Sequence, residues 1–80
     1  MVTKIEQYTI DEVKRRRLAL GLSQAALAAE AGISYGFVGE VESGRRGYKY
    51  NLNHLNSFAL TFNCSVRDLL PEKPFPKENS

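Results

Sequence analysis

The 80-residue chain has one cysteine, one histidine, no tryptophan and no long hydrophobic run, and each shortage excludes a class of protein. A single cysteine, Cys64, rules out an internal disulfide, and His54 as the only histidine leaves no ordinary zinc-ligand set. No run of about 18 apolar residues is present, so we expect no bilayer-spanning helix. The first residues include the acidic Glu6 and no apolar core, so we expect no secretory signal. These shortages fit a protein of the reducing cytoplasm.

The charge and the size of the chain exclude further classes of function. Eleven basic and nine acidic residues give a net charge of +2, in a chain that is 42% hydrophobic and 25% charged. The basic residues are densest in two blocks, Lys14–Arg17 and Arg45–Lys49. A domain of this size buries only roughly 60% of its unfolded surface, so a deep substrate pocket is hard to build. No Ser/His/Asp or Cys/His constellation is evident, and we expect neither an enzyme nor a cofactor.

Helix-capping residues divide the sequence into short helices, without a strand pattern between them. The predicted helices cover residues 10–20, 24–31, 35–42, 52–62 and a short fifth ending at Leu70. Their predicted N-caps are Thr9, Ser23, Ser34, Asn51 and Ser65. Thr9 and Glu12 have the spacing of a capping box, and Ser65 and Asp68 repeat it. The predicted organisation is an N-terminal arm (1–9), one helical domain (10–71) and a flexible, proline-rich tail (72–80).

Only Gly32, Ile33 and Ser34 separate the second predicted helix from the third. A turn of three or four residues that contains glycine, placed between two helices, is typical of a helix-turn-helix. So short a turn makes the helices cross steeply, and the second of them projects from the body of the domain. A projecting α-helix has the width to enter the major groove of B-DNA. The sequence therefore indicates a nucleic-acid-binding element.

The residues from Leu18 to Arg46, and again from Leu52 to Pro71, resemble the Cro/lambda-repressor (XRE) helix-turn-helix family. The resemblance covers about residues 10–71. Its landmarks are Gly21, Gln24, Leu27, Ala28, Gly32, Val38, Glu42, Gly44, Leu55, Ala59, Ser65 and Leu69. It implies an all-α, five-helix, lambda-repressor-like domain that binds double-stranded DNA sequence-specifically. It also implies a repressor-like transcriptional regulator acting as a homodimer through its fourth and fifth helices.

The resemblance further implies which side chains would meet DNA. The implied set is Ser23, Gln24, Ser34, Tyr35, Gly36, Gly39, Glu40, Ser43, Arg45, Arg46 and Tyr48. Within it, Gln24 binds a phosphate and braces the third helix, residues 34–40 supply the face toward the bases, and residues 43–48 follow the DNA backbone. Arg17 and Glu42 match a structural pair that bridges the first helix to the end of the third.

The chain departs from the family pattern in two places. The face toward the bases lacks the Gln, Asn or Arg side chains that commonly read bases through two hydrogen bonds. It has Tyr35, two glycines and Glu40 instead. The loop after Gly44 is about two residues longer than is usual in the family. By its resemblance to the family loop, we interpret it as an enlarged element that contacts the DNA backbone.

These departures leave several roles open. Within the DNA-binding class, the chain fits a stand-alone repressor, a restriction–modification controller or the antitoxin of a toxin pair. The rival from another class is a protein-interaction module, with an unknown protein partner, that keeps the fold and has weak DNA readout. Charge reversal at Arg45 and Arg46 separates these classes, because only a DNA binder loses duplex affinity.

For some apolar residues the sequence allows two interpretations. Tyr48 and Tyr50 either grip the DNA backbone or pack over the fourth helix. Leu69, Leu70 and Phe75 form either a dimer patch or the bottom of the core. Cys64 is expected in the core, because a free cysteine behaves as a small buried hydrophobe.

Overall fold

The computed structural model describes residues 1–77, which form four α-helices and one 3-10 helix and contain no strand. The helices are α1 (Lys4–Ala19), α2 (Gln24–Ala31), α3 (Phe37–Ser43), α4 (Leu52–Phe62) and the 3-10 helix (Val66–Leu69). The predicted all-α class is confirmed. None of the helices within residues 1–77 has the length and apolar character to cross a membrane.

The predicted short fifth helix is present as a 3-10 helix, so the described residues contain four α-helices rather than five. Its predicted capping box is present: the Ser65 amide donates to Asp68 Oδ2 at 2.9 Å, and Ser65 Oγ accepts from the Arg67 amide at 3.1 Å. Leu70 is extended (φ −112°, ψ 153°), as expected for a residue that precedes a proline and avoids the α region. Pro71 therefore stops the helix before a full α-turn can form.

The first helix begins at Lys4, six residues before the predicted Ile10. Its capping box is formed by Thr3 and Glu6, with the Thr3 amide donating to Glu6 Oε1 at 2.8 Å. Thr9, the predicted cap, is buried inside the helix and its hydroxyl donates to the Glu6 carbonyl oxygen at 2.8 Å. The pattern S/T-x-x-E occurs twice, and the earlier copy starts the helix. Residues 4–9, assigned to an arm, are therefore helical.

The bounds predicted for α2 and α4 are confirmed, with Ser23 and Asn51 as their N-caps. The predicted start of α3 is wrong. Its N-cap is Gly36, at φ +89°, and the Ser34 side chain makes no cap hydrogen bond. The Ser34 carbonyl oxygen instead accepts from the Phe37 amide at 3.1 Å, in a turn that precedes the helix. Only a residue without a Cβ adopts this left-handed conformation readily, so Gly36 fixes where α3 begins.

The core lies where α2 packs against α3 and α4, with α1 and the 3-10 helix closing it. Its buried hydrophobic residues are Ile10, Val13, Leu27, Ala28, Val38, Val41, Tyr50, Leu55, Phe58, Ala59 and Leu69. Leu69 thus belongs to the core, whereas Cys64 is only partly buried at its edge. The Tyr50 ring packs edge-on against Phe58, with centroids 4.7 Å apart.

The C-terminal segment lies against α1. The Phe75 ring meets Tyr8 at a centroid distance of 6.4 Å, and its side chain remains 40% exposed. Residues 72–77 have no helix or strand. Residues 78–80 of the predicted flexible tail lie outside the described residues, and the flexibility of the tail stays a prediction.

Candidate nucleic-acid interface

The turn between α2 and α3 presents its polar residues to solvent. Gly32 takes the left-handed conformation (φ +69°) and the Ile33 amide donates back to the Ala28 carbonyl oxygen at 2.8 Å, while Ile33 packs against the core. Tyr35 follows with 87% of its surface exposed. The turn therefore places an exposed aromatic ring two residues before the first residue of α3.

Two buried valines on α3 decide which side of the helix faces outward. Val38 and Val41 are 0% and 1% exposed and face the core. Glu40 and Ser43 lie on the other side, with a glutamate side chain that is 39% exposed. The outward direction predicted for this side of α3 is therefore present in the structure. Contact with DNA at these positions stays a prediction.

Gln24, the first residue of α2, spans the gap to α3. Its Nε2 donates to Glu42 Oε1 at 2.9 Å. Its Oε1 lies 3.0 Å from the point that a Cβ on Gly39 would occupy. Gly39 is therefore the position where the missing side chain makes room for the Gln24 amide. The predicted bracing of α3 by Gln24 is confirmed by this hydrogen bond, and its contact with a phosphate stays a prediction.

Behind this contact lies the predicted pair of Arg17 and Glu42. Arg17 Nε and Nη2 donate to the two carboxylate oxygens of Glu42 at 2.9 and 2.8 Å, and the side chains are only 8% and 4% exposed. Arg17 Nη1 also donates to the Leu22 carbonyl oxygen at 2.8 Å. The implied pair is confirmed. Arg17 thus acts as a structural residue that joins α1, the turn after it and α3.

The loop after α3 is tied to its last turn by short contacts. Ser43 Oγ donates to the Glu40 carbonyl oxygen at 2.8 Å and accepts from the Arg45 amide at 3.3 Å. Arg46 Nε lies 3.6 Å from Glu40 Oε2 in an exposed ion pair. Arg45 is exposed and forms no ion pair within the described part of the chain. Both arginines are thus exposed residues that follow the C-terminal end of α3.

The remainder of the loop rests on an aromatic platform. The Tyr48 ring stacks on Phe37, the first residue of α3, at a centroid distance of 6.1 Å and an interplanar angle of 22°. The neighbouring Tyr48 hydroxyl, and after it the Glu40 carboxylate, raise the pKa of the Arg46 guanidinium. Tyr48 is therefore held against α3 and beside an arginine, while 41% of its surface stays exposed.

The far end of the loop is attached to the first turn of α1. Lys49 Nζ lies 3.1 Å from Glu6 Oε2. The pKa of the Glu6 carboxyl is lowered, mainly because the Thr3 amide donates to it and also because of Lys49. This link was not visible in the sequence, because the start of α1 was placed after Glu6.

Most of the basic block on α1 is already paired with carboxylates. Arg15 and Arg16 both pair with Glu12, and their hydrogen bonds lower the pKa of that carboxyl, with the Arg15 bond first. Arg17 is interior. Lys14 is exposed and, like Arg45 in the loop after α3, forms no ion pair within the described residues, so each basic block has one exposed cation without an ion-pair partner.

His54 takes part in the N-terminal cap of α4, a role that was not predicted. Its Nδ1 accepts from the Asn51 amide at 3.0 Å, while the Asn51 side chain accepts from the His54 amide at 2.8 Å, so the two residues cap α4 reciprocally. Partial burial lowers the pKa of the His54 imidazole. The spacing of three residues after an asparagine N-cap was the available signal. Its ring packs on Phe37, with centroids 5.0 Å apart, and so supports the start of α3 from behind.

The helix-turn-helix domain as a whole is similar to known proteins. A family model described as helix-turn-helix matches residues 13–69. The crystal structure of the restriction-modification controller protein C.AhdI from Aeromonas hydrophila is 28% identical, with a TM-score of 0.68, over 79% of this chain and 92% of that one. HppE, solved with cobalt(II) and substrate, is 26% identical over 85% of this chain, with a TM-score of 0.68, but the match spans only 37% of the HppE chain. The comparison with curated proteins gave no match.

Proposed function

The chain belongs to the Cro/lambda-like (XRE) helix-turn-helix family of DNA-binding regulators, and on that premise we propose that it represses transcription as a sequence-specific homodimer. One observation carries the proposal. The open side of α3 is bordered by the exposed Tyr35 at one end and by Arg45 and Arg46 at the other. An α-helix has the width of the major groove, and arginines next to its end can contact the phosphates beside that groove.

In the proposed complex, α3 enters the major groove. Tyr35 and Glu40 face the base edges, while Arg45 and Arg46 contact the phosphates beside the groove. Gln24 stays bound to Glu42 through one amide hydrogen and offers its other one to a phosphate. Ser23, Ser34, Gly36, Ser43 and Tyr48 complete the proposed contact surface.

The homodimer is proposed on geometric grounds. A single α3 of seven residues reads only a few base pairs, and two copies related by a two-fold axis double the contact. Their α3 helices would then enter successive major grooves roughly 34–36 Å apart, on a pseudo-palindromic site. The similarity to C.AhdI over 92% of that controller favours the controller role among the three open within this class.

HppE is the comparison that bears on the rival interpretation. Because this chain corresponds to 37% of HppE, the same fold also occurs as one part of a longer chain. We propose no HppE-like activity for this chain. A protein-interaction module therefore remains the second candidate, and the experiment below separates it from the regulator.

The proposal is tested by selection from a randomised duplex library, followed by binding titrations at several salt concentrations. The expected result is a two-fold symmetric consensus and an affinity that falls with salt at a slope near −0.9 per phosphate neutralised. The double variant Arg45→Glu/Arg46→Glu should lose at least ten-fold in duplex affinity at 50 mM salt, on the order of one charge-assisted contact.

The matched control reverses two exposed lysines of the C-terminal segment, Lys73→Glu/Lys77→Glu, and so changes the net charge by the same amount. It should retain most of the affinity. A wild-type protein that shows no salt-sensitive binding to any duplex would overturn the proposal and leave the interaction module in its place.

A further inference from the structure

We propose that Glu40 is a specificity-determining residue that restrains Arg46 until a cytosine is present in the groove. This inference rests on the proposed DNA-binding function and names the regulation of the same surface. Its basis is the exposed ion pair between Glu40 on α3 and Arg46 in the following loop, at 3.6 Å.

The charges of α3 make this pair unusual for a DNA-facing helix. The residues Phe37–Ser43 include two carboxylates and no basic side chain. Glu42 is 4% exposed and fully engaged with Arg17 and Gln24, so its charge is neutralised inside the protein. Glu40 is thus the solvent-facing charge of α3, and its sign repels phosphate. In the free protein Arg46 offsets that charge.

The ion pair between Glu40 and Arg46 is weak enough to separate when DNA binds. Its atoms are 3.6 Å apart, longer than a charge-assisted hydrogen bond, and the side chains of Arg46 and Glu40 are 65% and 39% exposed. Exposed ion pairs of this kind contribute little to stability and are screened by salt. A phosphate offers the guanidinium two parallel hydrogen bonds, and so competes well with Glu40 for Arg46.

Transfer of Arg46 to a phosphate leaves the Glu40 carboxylate unpaired beside the DNA. An acceptor-only group in that place is favourable where the facing base edge donates a hydrogen bond, and the N4 amino group of cytosine is the donor that glutamate commonly accepts from. Without a donor opposite, the unpaired carboxylate opposes the transfer of Arg46 and weakens its contact to phosphate. The pair therefore couples the grip on the backbone to the identity of one base.

Lys49 and Glu6 provide an internal comparison. They also form an ion pair, at 3.1 Å, between the loop and another helix. Glu6 lies on the first turn of α1 rather than on α3, so its release exposes no carboxylate on the recognition helix. Breaking that pair is expected to change affinity for every duplex alike.

The test measures affinity for the selected duplex and for a scrambled duplex with wild type, Glu40→Gln and Glu30→Gln. Glu30 is an exposed carboxylate on α2 that forms no ion pair within residues 1–77, so its variant controls for the loss of one negative charge. For Glu40→Gln we expect scrambled-duplex affinity to rise about 1.5- to 5-fold, as the pair is lost. We expect the ratio of selected to scrambled affinity to fall at least 5-fold, at the lower end of one lost base contact.

Selection with Glu40→Gln supplies a second readout. A consensus cytosine in each half-site should disappear or change to adenine, which glutamine pairs with through two hydrogen bonds. In the Arg46→Gln background, Glu40→Gln should no longer raise scrambled-duplex affinity beyond the Glu30→Gln control, because there is no pair left to release.

Three outcomes overturn the inference. Equal losses by Glu40→Gln on both duplexes, an unchanged consensus, or the same gain in the presence and absence of Arg46 would each show that Glu40 does not control readout. These outcomes leave the proposed function intact, since wild type still binds. Failure of wild type to bind any duplex with salt dependence would overturn both.

Discussion

Arg17 and Glu42 are joined by two hydrogen bonds of 2.9 and 2.8 Å across the interface between α1 and α3, and both side chains are more than nine-tenths buried. Neither charge has access to solvent, so each depends on the other. The pair fixes the end of α3 that leads into the basic loop.

Loss of this pair is expected to destabilise the domain more than it alters specificity. Arg17→Ala leaves the Glu42 carboxylate buried without its main partner, and removal of one member of such a pair typically costs about 3–5 kcal/mol. Urea denaturation followed by circular dichroism measures the free energy of unfolding. Arg15→Ala is the control, since Arg15 is 63% exposed and exposed ion pairs of this kind contribute little to stability. Equal effects of the two substitutions would contradict the structural role.

The two glycines near the start of α3 are expected to respond oppositely to alanine. Gly36 has φ +89°, a conformation that costs a residue with a Cβ about 1–2 kcal/mol, so Gly36→Ala should destabilise the fold. Gly39 is helical, and alanine there gains up to about 1 kcal/mol of helix propensity. Its new Cβ would meet Gln24 Oε1 at 3.0 Å and push that flexible side chain away.

Gly39→Ala should therefore preserve stability and weaken duplex binding, whereas Gly36→Ala should lower the melting temperature. Thermal unfolding and duplex titration of the same two samples measure both quantities. A Gly39→Ala protein with lowered stability and unchanged affinity would refute the role assigned to the Gln24 contact.

Stability is expected to fall between pH 8 and pH 5 because of His54. Its pKa is lowered from 6.5 by partial burial, and its Nδ1 must be unprotonated to accept from the Asn51 amide. A lowered folded-state pKa means that the unfolded chain binds the proton first. The contribution is complete above the unfolded-state pKa and is lost as the pH falls through the folded-state value.

The measurement is the denaturation midpoint as a function of pH, together with an NMR titration of the imidazole. His54→Gln keeps an acceptor at the third helical position, where capping boxes use Gln, and should flatten the pH dependence in this range. A variant that retains the wild-type slope would assign the effect to another group.

Tyr50→Phe is expected to stabilise the protein. The Tyr50 hydroxyl is buried and has no hydrogen-bond partner within the described residues, and burial raises its pKa. A buried polar group without a partner costs about 1–3 kcal/mol, so its removal should raise the free energy of unfolding by about 1 kcal/mol. Tyr48→Phe, at a 41% exposed ring, should change it by less than about 0.5 kcal/mol. A destabilised Tyr50→Phe protein would show that the hydroxyl has a partner.

The ends of a helix were predicted correctly where a single capping residue was available at each end. The N-cap and C-cap of α2 are Ser23 and Gly32, and those of α4 are Asn51 and Asn63, as predicted. The start of α1 was misplaced because two capping boxes compete, and local sequence does not rank them.

Other features depended on contacts that no local pattern encodes. The short 3-10 helix follows from Pro71, whose effect on Leu70 outweighs the capping box before it. The Lys49–Glu6 pair joins residues 43 positions apart, and Gly39 gains its meaning only from Gln24 on another helix. The side of α3 that faces outward was therefore predictable from the spacing of its apolar residues, but the way in which Gln24, Glu40 and Arg46 are already engaged within the protein was not.

The position of Glu42 has a consequence for genetics. One carboxylate on α3 accepts from Arg17 of α1 and from Gln24 of α2, although it is withdrawn from the surface. For the proposed repressor, a screen for mutants that fail to silence a reporter would thus recover this codon repeatedly. A geneticist mapping such alleles would be led to a residue that touches no operator, and would need a measurement of protein abundance in the cell to avoid counting it among the contacts.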